Sequence, residues 1–183
     1  RHGSTKKLFS PSELSNMSLW LDATDSSSIS HSSNAVGQWS DKSGSGNDAT
    51  QSTAANKPAL TESGLNGKPV ITFDGTNDSL ASTSLNISQS YSIFLVAKTN
   101  NNATGRDYLF DGITTNTLRS LVALDNGGKI QMWAGSWANT NLNTPPGYFV
   151  MSAVFNTTNS SLSLNGTSVT GLSVGSYNLT NGI

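Results

Sequence analysis

Cysteine is absent from the 183 residues, which excludes a disulfide scaffold, thiol nucleophiles and zinc sites built from thiolates. Charge is scarce too. Asp, Glu, Lys and Arg make up 11% of the chain, against roughly 25% in ordinary soluble domains. The net charge is −1 and no block of Lys or Arg stands out, so the chain lacks the basic surface that nucleic acid requires. No apolar run approaches the roughly 18 residues needed to span a bilayer, and no membrane insertion is expected. Glutamate occurs only at Glu13 and Glu62, and histidine only at His2 and His31.

Ser, Thr and Asn supply the missing polarity, at roughly 40% of the residues against a background nearer 17%. Their side chains compete for nearby backbone groups, which favours strands edged by turns over helices. The length suits one domain, read as residues 11–183, preceded by an extended basic arm over residues 1–10. Short apolar stretches then recur at roughly 8–15 residue spacing: Leu19–Leu21, Val36–Trp39, Pro69–Phe73, Ser92–Lys98, Tyr108–Phe110, Leu121–Leu124, Ile130–Trp133, Phe149–Phe155 and Leu162–Leu164. Ser92–Lys98, a near-continuous apolar run, predicts a strand covered on both faces. Asn126-Gly127-Gly128 and Asn165-Gly166 are hairpin signals, because Asn-Gly tolerates positive φ. Ser12–Met17 after Pro11 predicts one short helical turn capped by Ser10 or Ser12, and the Asn/Thr-rich stretches Thr99–Thr104 and Ala138–Thr144 read as surface loops. The fold class is all-β, an antiparallel β-sandwich. Trp20, Trp39, Phe73, Phe94, Val96, Val154 and Phe155 are expected in its core.

Four motifs carry a resemblance: Leu19-Trp20-Leu21-Asp22-Ala23-Thr24-Asp25; Trp39-Ser40-Asp41-Lys42-Ser43-Gly44-Ser45-Gly46-Asn47-Asp48-Ala49; Gly67-Lys68-Pro69-Val70-Ile71-Thr72-Phe73-Asp74-Gly75-Thr76-Asn77-Asp78-Ser79-Leu80; and Leu162-Ser163-Leu164-Asn165-Gly166. In order and spacing the chain resembles the laminin-G-type jelly rolls of the concanavalin A-like superfamily found in bacterial and phage surface proteins. The resemblance implies a jelly-roll topology. Such domains close with a Phe-x-Gly-x-Ile-x-Glu-like strand, and the sequence stops at Ile183 before one. The expectation is therefore that the polypeptide continues, or that a neighbouring chain fills the slot by strand addition.

Hydrolases that resemble this fold place paired Glu residues on one strand, and glycoside hydrolysis needs two facing carboxyls. Glu13 and Glu62 lie far apart in predicted turns or loops and no strand carries acids at i and i+2, so no enzyme is expected. His2 and His31 sit in polar surroundings and read as solvated. Asp41, Asn47, Asp48, Asp74, Asn77 and Asp78 offer oxygen ligands for calcium if their two loops meet; the competing reading is that they form Asx-turns without metal. For carbohydrate, Trp133 and Trp137 with Asn139, Asn141 and Tyr148 form the candidate surface, in which a ring stacks on a sugar while amides bond its hydroxyls. Alternatively Trp137 folds back under Pro145-Pro146 as a loop anchor. The functional expectation is a structural or adhesive domain of an exterior assembly, a phage virion or a cell surface, whose partners are glycans or neighbouring subunits. The alternative is a carbohydrate-binding module of a larger secreted polysaccharide-degrading enzyme.

Overall fold

The computed structural model describes residues 9–100, 106–113 and 119–183. Of the arm read over residues 1–10, all but Phe9 and Ser10 lie outside the described residues, as does His2. Among the described residues, every element longer than a three-residue 3-10 turn is a strand, except that one strand has only two residues, and every strand pairing is antiparallel. The protein is all-β, with the character of a β-sandwich. No helix among the described residues is long and apolar enough to cross a membrane. The chain divides into two compact units, the first ending at Ser82 and the second spanning Thr83–Ile183.

The first unit holds β1 (Ile29–Ser32), β2 (Ala35–Trp39), β3 (Ala49–Thr50), β4 (Ala59–Leu65) and β5 (Lys68–Thr72). They form one sheet in the order β1-β2-β4-β5, with β3 alongside β2. Two tight turns set its hairpins. Ser33-Asn34 (φ 48° and 67°) joins β1 to β2, and Asn66-Gly67 (φ 50° and 71°) joins β4 to β5. Two consecutive positive φ values match the right-handed twist of the strands they connect. Ile29, Val36 and Leu60 are buried on one face, with Ala23, Trp39, Ile71 and Leu80 packed around them.

The second unit has two four-stranded sheets. One runs β13 (Thr167–Leu172), β12 (Ser160–Leu164), β11 (Phe149–Phe155), β6 (Tyr91–Ala97); the other runs β10 (Trp137–Asn143), β9 (Lys129–Trp133), β8 (Leu121–Leu124), β7 (Asp107–Asp111). Along β11 the alternation is strict: Phe149, Met151, Ala153 and Phe155 are buried, and Val150 between the first two is exposed. Tyr91 stacks on Phe155 at 5.0 Å between ring centroids, and burial pushes its phenol pKa upward. The four residues of β8 are all buried. Asn165-Gly166 closes the β12–β13 hairpin and Asn126-Gly127-Gly128 the β8–β9 hairpin, as their composition predicts.

Several expectations are corrected. Leu19–Leu21 forms no strand. Trp20, Trp39 and Val154 are half-buried, and Phe73 is exposed just past β5; of the seven residues expected in the core only Phe155 is fully enclosed. Strand β6 is covered on one face only, with Phe94 73% and Val96 58% exposed and cross-strand Val150 57% exposed. An apolar run does not by itself distinguish one covered face from two; which neighbours lie above and below the strand decides it. The stretch 138–144 read as a loop is mostly β10, because Ala138 and Thr140 alternate inward with period two and Asn139 points the other way. The helical turn is limited to Pro11–Glu13, capped by the Ser10 hydroxyl.

Phe155→Ala should lower unfolding free energy by about 3–5 kcal/mol, whereas Phe94→Ser should change it by no more than about 1 kcal/mol. Urea titrations of the two variants measure the contrast.

Candidate functional site

The aromatic candidate is built on the β9–β10 hairpin. Trp133 and Trp137 face each other across it in register, with ring centroids 6.3 Å apart, and Tyr177 meets the Trp133 ring edge-on at 5.5 Å. Beyond them on the same face lie Asn139 and Gln131, also in register, joined by a 2.6 Å bond from Gln131 Nε2 to Asn139 Oδ1. Gln131 Oε1 in turn accepts from Arg106 Nε at 3.2 Å. The Arg106 guanidinium lies 3.9 Å from the centroid of the Trp137 ring, a stacking geometry that draws on the negative face of the indole. Trp137 nevertheless stays 40% exposed. On β7, Tyr108 lies under Arg119, whose Nε pairs with Asp111 at 2.9 Å; burial raises the Asp111 pKa and the guanidinium opposes the rise.

Trp137 opens β10 opposite Trp133, whereas Pro145-Pro146 follow the other end of that strand, which pairs with Lys129 four residues along β9, roughly 13 Å away at ordinary strand rise, so Trp137 does not serve as the anchor beneath them. Of the other candidates, Asn139 joins the Trp137 face and Trp133 is half-buried behind it. Asn141 sits exposed, with φ of 59°, where the β9–β10 register shifts. Tyr148 lies in the turn between β10 and β11. Arg106 and Tyr177 were not legible as site residues, since each is recruited from a different stretch of chain, whereas strand alternation from Trp133 was the signal for Gln131, two residues before it on β9.

The hairpin tip is held by the segment after β13. Val174 O accepts from Ala134 N at 2.7 Å and from Ser136 N at 2.9 Å, and Tyr177 N donates to Ala134 O at 2.8 Å. Gly175, at φ 91°, passes so close that an added Cβ would lie 2.4 Å from Ala134 O. Only glycine satisfies both the positive φ and the contact.

The six oxygen-bearing residues considered for calcium are engaged in bonds within their turns and to neighbouring segments of the first unit. Asp41 Oδ1 accepts from Trp20 N and Ser43 N, and its Oδ2 accepts from Asn47 N and Ser43 Oγ. Asp48 accepts from Asp41 N and Gln38 Nε2, and Asn47 Nδ2 donates to Ser18 O. Asp74 Oδ1 accepts from the backbone N–H groups of Thr76, Asn77 and Asp78, Asp78 accepts from Asp74 N, and Asn77 Nδ2 donates to Ala55 O. These N–H bonds hold the Asp74 pKa low; burial raises that of Asp41, but its N–H donors outweigh the rise. Among the described residues no three His, Cys, Asp or Glu side chains converge as a metal site would require.

Lys42 binds two of the three resemblance motifs of the first unit together, Leu19–Asp25 and Trp39–Ala49. Its Nζ lies 3.1 Å from Asp22, 2.8 Å from Asp25 and 4.5 Å from the centroid of the Trp20 ring. The hydrogen bond from Lys42, then that from Ser27, lowers the Asp25 pKa to about 2. Glu62 lies on β4 and not in a loop, because the β4–β5 hairpin extends past it, whereas Glu13 closes the turn at Pro11–Glu13. With His31 and Lys68, Glu62 lines a hollow of about 450 Å³ in the first unit; Glu13 does not line it.

No family model, curated protein or solved structure matches this chain.

Two outcomes test this geometry. The Asp25 pKa is depressed in the folded chain, so the pair's stabilisation is complete above the unfolded value of about 4 and is lost as pH falls toward about 2. The urea midpoint should fall across that acid range, and Lys42→Met should make the fall shallower. Gly175→Ala should cost about 2–4 kcal/mol, whereas Gly171→Ala, at φ 69° with open space around it, should cost only the backbone term of about 1–2 kcal/mol. Thermal unfolding compares the pair.

Proposed function

We propose that this chain is a non-catalytic, adhesive β-sandwich domain of the laminin-G-like, concanavalin A-like kind, displayed on an exterior assembly such as a phage virion or a cell surface. Its partner is a glycan, bound on the β7–β10 face at Trp137. One observation carries the reading: an indole pinned in register with a second tryptophan, 40% exposed, and bordered by a guanidinium and two carboxamides. Such a surface offers an apolar ring for the C–H face of a sugar and fixed donors and acceptors for its hydroxyls. Stacked Arg106 occupies one side of the indole, so the sugar meets the exposed edge and the guanidinium together.

The carboxylates support the non-catalytic part. Asp41, Asp74 and Asp125 each accept two or more backbone N–H bonds, which fit them to shape turns and leave them poor proton donors at neutral pH.

Trp137→Ala should weaken glycan binding by about 1–3 kcal/mol, by analogy with the loss of aromatic stacking on other flat rings, with the fold intact. A glycan array followed by titration of the bound sugar tests it. Binding that survives the substitution unchanged would move the site off this face.

A further inference from the structure

The β8–β9 turn creates a second feature beside Trp137. Asp125, Asn126, Gly127 and Arg106 together line an open hollow of about 450 Å³. The volume falls within the roughly 300–1,000 Å³ typical of small-ligand sites. Both charged walls are fixed. Asp125 Oδ1 accepts from Gly127 N at 2.8 Å and from Lys129 N at 3.0 Å, and Gly128 N closes the turn onto Asp125 O at 2.9 Å. Arg106 is held by its Nε bond to Gln131 and by its stack on Trp137. Gln131 is itself 9% exposed and tied to Asn139, so the guanidinium has a rigid base.

These anchors leave one set of atoms over on each wall. Among the described residues no bond engages the Arg106 Nη amines or the Asp125 Oδ2 oxygen, and the two groups form no ion pair with each other. A preset donor fork and a preset anionic acceptor therefore share one hollow. An anionic ligand entering the hollow would meet Asp125, and a cationic one would meet Arg106. An apolar one would desolvate both charges without a partner. A neutral polyol satisfies both walls, because one hydroxyl donates to Asp125 while the oxygen of its neighbour accepts from Arg106.

We propose that the hollow between Arg106 and Asp125–Gly127 is a subsite for an uncharged saccharide and reads a vicinal diol, with Asp125 Oδ2 as acceptor and the Arg106 Nη amines as donors. The proposal rests on the glycan reading of the neighbouring Trp137 face and names the class of sugar that face takes. Nothing about Trp137 alone excludes an acidic sugar, so the two readings fail separately.

The test titrates the full chain by calorimetry with maltotriose, cellotriose and galactobiose as neutral probes, and with trigalacturonate as the acidic one, at low and high salt. Amide spectra follow Asn126 and Gly127. At least one neutral probe should bind with little salt dependence and shift those two amides. Asp125→Asn, which replaces the Oδ2 acceptor by a donor at constant shape, should weaken it tenfold or more, and so should Arg106→Ala, which lies off the turn. Thermal midpoints identify a variant that has lost its fold; if Asp125→Asn has, Arg106→Ala and the amide shifts decide. Preference for trigalacturonate, unchanged affinity in either folded variant, or unshifted Asn126 and Gly127 amides would overturn the subsite while leaving glycan binding at Trp137 standing. Failure of all four probes to bind would overturn both.

Discussion

Backbone N–H groups in turns need acceptors, and in this chain the carboxylates supply them. There are eleven acidic residues and ten basic ones, too few for a surface knitted by ion pairs. Asp41 is the clearest case: its two oxygens gather donors from Trp20, Ser43 and Asn47, so one side chain joins the Leu19–Asp25 segment to the loop after β2. Asp74 and Asp125 do the same on a smaller scale, each within its own turn. A carboxylate accepting several N–H bonds is both a turn former and a group held ionised. The Asp-rich loops are thereby tied by their own carboxylates.

The same economy explains the candidate site. Asp125 has one oxygen committed to the β8–β9 turn, which leaves the second uncommitted beside the hollow that Asp125 and Arg106 line. Arg106 has its Nε committed to Gln131, which leaves the fork free. Trp137 is held by register with Trp133, and Trp133 by Tyr177, whose place depends on Gly175 threading past Ala134. Recognition groups on such a support keep their geometry without a ligand, which lowers the ordering cost of binding. For the proposed sugar ligand area burial contributes little, which gives that saving more weight than it has in an apolar pocket.

On the opposite sheet of the second unit, Phe94, Val96 and Val150 are exposed on one face of β6 and β11. A strand pair with three such side chains outward gains nothing in the isolated chain from their size, and their substitution bears on association more than on folding.

The sequence alone determined the class of fold, because alternation, Asn-Gly turns and a Ser/Thr/Asn surface are local properties that favour extended chain wherever it lies. It also determined that turns at Asp41, Asp74 and Asn165-Gly166 would form, since Asx bonding and positive φ are settled within a few residues. It did not determine which face of a strand is covered: β6 looked two-sided, and β10, hidden in a run of Asn and Thr, looked like a loop. Nor did it assemble Arg106 and Tyr177 with Asp125, Gln131 and Trp137, which come from three stretches of chain and meet only through sheet register and the close pass of Gly175. Those decisions belong to tertiary structure, because burial and convergence depend on what lies across the sheet, and no window of neighbouring residues contains that information.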